Sequence, residues 1–234
     1  MTTIGLRAVG ALAAGVMLSG AAQATALVGR GGAIFDPSTN LEWLWHANLA
    51  EVEHFGVLGI RDDGRMSWET AQAWIAAMNA ASFLGGGWRL PLTAQPDPTC
   101  GSQFDAGSPY PLQGWGYNCT GSELGDLFYN KLGGKAGQSV LDQSGDSTEE
   151  MENFFLFEGH SIQSSVYWSG TEAAPYPTDA WLFLLSDGSQ SIGGKGNLLY
   201  AWPVRPAVVP LPEAGLLFGS VLVGLGAARR KAAA

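Results

Sequence analysis

Apolar and polar positions alternate in two short runs near the start of the chain's body, with turn residues between them. Ala33-Ile34-Phe35 and Leu41-Glu42-Trp43-Leu44-Trp45 flank Asp36-Pro37-Ser38-Thr39-Asn40. Proline after aspartate, then serine, threonine and asparagine, is turn chemistry, so the segment predicts a β-hairpin. From Ser67 the apolar period changes to about 3.6, which is helical. Trp68, Ala71, Trp74, Ile75 and Met78 then share one face, with Ser67 placed as N-cap and Glu69 and Thr70 in the first turn. This helix is expected to run to about Phe83, where Gly85-Gly86-Gly87 stop it. Its aromatic stripe reads as core packing.

Residues 91–122 hold Pro91, Pro96, Pro98, Pro109 and Pro111 among many glycines and serines, too broken for a helix or a long strand. Ser122 then caps a second helix over residues 123–132, with Leu124, Leu127, Phe128 and Leu132 on one side and Gly133-Gly134 at its end. An acidic, polar stretch from Asp142 to Glu152 follows. Beyond it the pattern turns β-like over 153–157, 165–168, 180–185, 189–192 and 198–205, with Ser186-Asp187-Gly188 as a hairpin turn. The order of strands, helix, loop, helix and strands predicts an α+β fold: two helices packed on antiparallel strands around a long central loop.

Both ends differ from this body. At the start, Arg7 precedes an apolar run from Ala8 to Leu18, and small residues end in Ala22-Gln23-Ala24. That is the three-part pattern of a cleaved secretory signal, so residues 1–24 are expected to be removed between Ala24 and Thr25. At the other end, residues 214–228 carry no charge and lead into Arg229-Arg230-Lys231. At about 1.5 Å per residue such a stretch covers roughly 22 Å of a hydrocarbon core about 30 Å thick. Leu211 and the arginine stems extend it, so a transmembrane helix is expected, with the basic tail in the cytoplasm and the body outside.

Charge narrows the partners. The chain has 12 Lys+Arg and 21 Asp+Glu; without the two terminal segments the body keeps 8 cations against 20 anions. Nucleic acids and anionic polymers demand basic patches and are therefore poor partners, and no nucleic acid is expected. Cys100 and Cys119, the only cysteines, lie in the Gly/Pro/Ser-rich loop. Outside the cytoplasm an even count in such a segment favours a disulfide over a metal or redox pair, and a disulfide keeps a long loop ordered.

Four segments recur in a family of exported bacterial proteins: Trp88-Arg89-Leu90-Pro91, Tyr167-Trp168-Ser169-Gly170-Thr171-Glu172, Ala180-Trp181-Leu182-Phe183 and Ala201-Trp202-Pro203-Val204-Arg205-Pro206. On these, residues 33–206 resemble the Lcl C-terminal-like domain, and residues 25–207 are taken as that domain. The resemblance implies a fold related to C-type lectins and formylglycine-generating enzymes. The tail, with Val209-Pro210-Leu211-Pro212 before the apolar run and Arg229-Arg230 behind it, resembles the PEP-CTERM sorting signal. Leu211 stands where that signal commonly has glutamate, a departure shared with a variant form. This second resemblance implies that residues 208–234 are recognised by an exosortase-type membrane protease and that the membrane attachment is transient. The body is then released to the cell surface or extracellular matrix of a bacterium that makes exopolysaccharide.

Several residues invite a chemical reading. In Trp88-Arg89-Leu90-Pro91 a core tryptophan and an arginine paired with a carboxylate suffice, and Trp168, Trp181, Trp202 and Arg205 read as structural in the same way. Trp115 and Tyr117, between glycines in Gln113-Gly114-Trp115-Gly116-Tyr117-Asn118, are the better ligand candidates. A flat ring covers the apolar C–H face of a sugar while neighbouring amides such as Gln113 and Asn118 bond its hydroxyls; pinning the loop to the body is the competing role. Gln95-Pro96-Asp97 matches a sugar-selecting tripeptide of C-type lectins, but the Trp-Asn-Asp strand that accompanies it there is missing, and chance accounts for it.

Asp142, Asp146, Glu149 and Glu150 have no EF-hand spacing and read as a solvated acidic loop, so no metal is expected. His46, His54 and His160 are scattered, and no nucleophile-elbow or zinc-protease motif occurs. The cysteines also lie away from the closing strands, where the enzyme relatives carry theirs. The chain is therefore expected to be a cofactor-free, non-catalytic protein that binds saccharide or another envelope component. An enzyme acting on envelope polymers is the alternative.

Overall fold

The turn at residues 36–40 closes two antiparallel strands, β2 (Ala33–Asp36) and β3 (Leu41–Leu44), in register from Ala33↔Leu44 to Asp36↔Leu41. Asp36 Oδ1 accepts from the backbone N–H and the hydroxyl of Ser38, at 2.8 and 2.7 Å. Asn40 supplies the left-handed step (φ 56°), a conformation asparagine tolerates better than most residues. β1 (Val28–Arg30) pairs with β2, and β9 (Val204–Pro206) from the opposite end of the body pairs with β3, giving the order β1-β2-β3-β9. The computed structural model describes residues 26–157 and 161–207.

The first helix, α1 (Trp68–Ala80), starts where the sequence predicts, with the Ser67 hydroxyl accepting from Thr70 N–H. Ala71, Trp74, Ile75 and Met78 are buried on its inner face. It stops at Ala80, short of Phe83, because Ser82 and Leu84 turn left-handed at φ 52° and 49°. The second helix also matches: α2 (Glu123–Asp126), capped by Ser122, runs on as a π-helical turn over Leu127–Lys131. Leu124, Leu127, Phe128 and Leu132 are buried, as their spacing requires.

A third helix, α3 (Thr148–Leu156), corrects the expected strand at 153–157 and raises the number of α-helices among the described residues from two to three. The Ser147 side chain accepts from Glu150 N–H while Glu150 Oε2 accepts from Ser147 N–H at 2.6 Å, a complete capping box. Once the helix is nucleated there, Phe154 turns inward and Phe155 lies outward.

The closing strands are antiparallel: β6 (Val166–Glu172), β7 (Asp179–Leu184) and β8 (Gln190–Gly194). Between the last two, Asp187 Oδ1 accepts from Ser189 N–H and hydroxyl in the predicted turn. The expected single strand at 198–205 is interrupted. Leu199 and Tyr200 make isolated bridges to Met66 and Tyr167, and continuous pairing resumes only at Val204, after Pro203, which has no N–H to donate.

The core lies between these layers. Trp43, Trp74, Trp168, Trp181 and Trp202 are all buried. Trp202 packs edge-on against Trp43 and Phe157, with centroids 5.5 and 5.0 Å away. Each indole N–H needs an acceptor when buried. Trp202 Nε1 donates to Leu44 O at 2.7 Å, Trp168 Nε1 to Met66 O at 3.0 Å and Trp74 Nε1 to Glu53 O at 2.8 Å. These bonds fix the strands and α1 to one centre. The structural roles read from the motif tryptophans agree with this packing.

The central loop is tied by the disulfide Cys100–Cys119, as expected. Within it lies a two-stranded sheet, β4 (Ser102–Phe104) and β5 (Gln113–Trp115). Among the described residues no helix is long and apolar enough to cross a membrane. The expected span 214–228, the sorting residues Val209, Pro210, Leu211, Pro212, Arg229 and Arg230, and the cleavage point at Ala24 and Thr25 lie outside the described residues.

Candidate functional site

The aromatic loop is a braced hairpin. β4 and β5 pair from Ser102↔Trp115 to Phe104↔Gln113. The Gln95 side chain behaves as a further strand neighbour: its Oε1 accepts from Gly114 N–H at 2.7 Å and its Nε2 donates to Gly114 O at 2.9 Å. Gln190 Nε2 donates to the same carbonyl at 3.0 Å. Gly116 and Gln190 exchange backbone bonds of 2.9 and 2.8 Å, which joins the hairpin to β8. A side chain at position 114 would collide with Asp97 O and with Cys100 Sγ, so glycine is required there.

Asp97 holds the base of the loop. It is buried, and its carboxylate accepts from Thr99 N–H at 3.0 Å and from Gly121 N–H at 3.1 Å. The polar groups of Gln95-Pro96-Asp97 are thus spent on the hairpin and the loop, in keeping with a chance match to the lectin tripeptide. The Asp97 carboxylate and the two sulfurs lie within 4.8 Å of one another. The sulfurs are joined to each other, and a disulfide offers a metal no thiolate.

On this brace Trp115 and Tyr117 stand 45% and 41% exposed. Asn118 is also on the surface; it is left-handed (φ 62°), and its N–H donates to Tyr129 Oη at 3.0 Å. Tyr129 in turn donates to Gly188 O at 2.7 Å, and burial pushes its phenol pKa upward. Gln113 is different. It is buried, its Nε2 donates to Pro111 O at 2.9 Å, and it supports the hairpin from beneath. Trp115, Tyr117 and Asn118 are therefore all exposed, within four successive positions of the loop, whereas Gln113 is turned inward.

The acidic segment is internally paired. Lys135 Nζ meets Asp146 Oδ1 at 2.6 Å, a bond that raises the lysine pKa. Asp142 accepts from Ser144, which lowers its own pKa, and Glu150 serves the capping box. These contacts engage Asp142, Asp146 and Glu150 in local turns and a helix start, with Asp146 Oδ2 buried and without a hydrogen-bond partner. His46 has its Nδ1 buried with no hydrogen-bond partner, and His160 lies outside the described residues.

The chain matches no known protein family, no curated protein and no solved structure.

Chemically, the braced hairpin presents half-exposed rings, with the exposed Asn118 following them in the chain. Such rings cover apolar ligand surface with little loss of side-chain freedom, because the backbone below is already fixed. The bracing residues Gln95, Asp97 and Gln190 were not distinguishable as such in the sequence. A cavity of about 330 Å³ beside Tyr110, Glu172 and Pro175 likewise has no sequence signal.

Proposed function

We propose that the chain is a non-catalytic exported protein of the bacterial surface or extracellular matrix, with a C-type-lectin-like body related to the Lcl C-terminal-like domain. Its body binds saccharide through Trp115 and Tyr117, with Asn118 beside them. The observation that carries the reading is the braced exposure of the two rings: a disulfide, two glutamine side chains and a required glycine all converge on β5, which carries Trp115 and leads into Tyr117. The rings offer a flat apolar face to C–H groups, and the hairpin does not need to reorganise to do so.

The family assignment rests on four ordered segments and on the α+β architecture with antiparallel sheets. Export is supported by the signal-like start and by the disulfide, since such bonds persist in oxidising compartments. On this reading an exosortase-type protease removes the tail and frees the body.

Retention of the exported protein on immobilised exopolysaccharide tests the function. Wild type is expected to be retained and Trp115→Ala/Tyr117→Ala to pass through. No retention of wild type, or equal retention of the double variant, would sink the site.

A further inference from the structure

A second surface feature lies where the approach to β5 meets the end of β6. The cavity of about 330 Å³ is lined by Tyr110, Glu172, Ala173, Ala174, Pro175 and Pro177. Its size is that of a small-ligand pocket. Tyr110 is 40% exposed, so its ring is presented to solvent. Glu172 is held in place by Lys195, whose Nζ donates to Oε1 at 2.6 Å. Lys195 is itself largely covered and lies over the Trp68 ring, 4.4 Å from its centroid. The ion pair compensates the carboxylate's charge through Oε1, so Oε2 is the oxygen left to accept from a ligand.

These groups define the ligand. A pyranose ring has an apolar C–H face for the tyrosine and the prolines, and hydroxyl donors for a fixed acceptor. The compensated charge gives no preference for an ammonium sugar. A uronate would place its carboxylate against Glu172, in a body that already carries an excess of anions. Tyr110 precedes Trp115 by five residues, at most about 17 Å of extended chain.

We propose that this cavity is a second saccharide subsite, taking a neutral hexopyranose unit of a polymer that also crosses Trp115 and Tyr117. The proposal rests on the saccharide reading above, and it makes the ligand an internal stretch of a neutral polysaccharide. It does not depend on a metal.

Affinity electrophoresis of the exported protein through gels holding dextran, hydroxyethyl cellulose or alginate tests it. Retardation by at least one neutral glucan and not by alginate is expected. Tyr110→Ala and Glu172→Ala each weaken that binding about tenfold, the scale of one lost stacking or hydrogen-bonding contact, while Tyr110→Phe keeps it. Tyr110 is exposed enough that its replacement should not move the melting temperature, so Tyr110→Ala separates lost binding from lost fold; Glu172→Ala strands the largely covered Lys195, and its binding is read beside its melting temperature. If Tyr110→Ala and Glu172→Ala bind as wild type while Trp115→Ala does not, the cavity proposal is overturned and the hairpin site stands. If only Trp115→Ala is without effect, the cavity stands and the hairpin reading fails. Retardation by alginate alone overturns the neutral assignment, and no retardation by any polymer overturns both.

Discussion

Arg89 and Glu123 meet through two parallel bonds, Nη1 to Oε2 and Nη2 to Oε1, both 2.7 Å long. The same Glu123 Oε2 accepts from Leu92 N–H at 2.7 Å, and Glu123 N–H donates to Leu92 O at 3.0 Å. The arginine of the Trp-Arg-Leu-Pro segment thus fastens the start of α2 to the chain that leads into the aromatic hairpin. The geometry is a fork that a point charge cannot copy.

Replacing Glu123 by Ala should therefore cost about 2 kcal/mol, because it strands both the guanidinium and the Leu92 N–H. Arg89→Lys should cost about half as much, since one of the two bonds can persist. Urea unfolding of the two variants checks the order; equal stability of all three proteins would remove this pair as a fastening.

The disulfide closes a loop with a sequence separation of 19. Loss of it in Cys100→Ser/Cys119→Ser should lower stability by roughly 3 kcal/mol through the unfolded chain. The denaturation midpoint should fall accordingly. Faster amide exchange at residues 113–118 should accompany the fall, because the brace under Trp115 is loosened.

Ser147→Ala should cost about 1 kcal/mol by removing half of the α3 capping box. Amide hydrogen exchange should show the first turn of α3 opening faster in the variant, and thermal unfolding should show a lower midpoint. An unchanged midpoint would argue that packing alone holds α3.

Tyr167 is fully buried, and burial pushes its phenol well above the ordinary value near 10. A group whose folded pKa is raised contributes stability that is complete below its unfolded pKa and is lost as pH rises through the folded one. The melting temperature should then fall as pH climbs from about 10 upward. Tyr167→Phe should flatten that fall while costing about 1 kcal/mol at neutral pH, where Gln163 N–H loses its acceptor. Tyr129 and Tyr200 are shifted the same way, so a shallower slope remains.

What could be read from the chain followed from how local the signals are. The hairpin at 33–44 is legible because its turn residues and both apolar runs are contiguous, and α1 because its cap and period are contiguous; its end is not, since left-handed Ser82 and Leu84 stop it ahead of the glycines. α3 is harder to read, since Phe154-Phe155-Leu156-Phe157 is a short apolar run that periodicity alone assigns to a strand as readily as to a buried helix. The deciding signal, serine followed three positions later by glutamate, sat upstream in a stretch that looks merely acidic.

The site divides in the same way. Flanking glycines pointed to Trp115 and Tyr117, and both are exposed. The inward turn of Gln113 depends on β-pairing with Phe104, and the brace on Gly114 comes from Gln95 and Gln190, 19 and 76 residues away. No window along the chain contains those partners.

Export is the claim on which the ligand reading depends, and mass spectrometry of the protein isolated from its native culture medium tests it most directly. A species beginning at Thr25 and ending near Pro212, with the Cys100 and Cys119 peptides linked before reduction, is the predicted result. Recovery only from the cells, with Met1 and Ala234 intact and both thiols free, would contradict it.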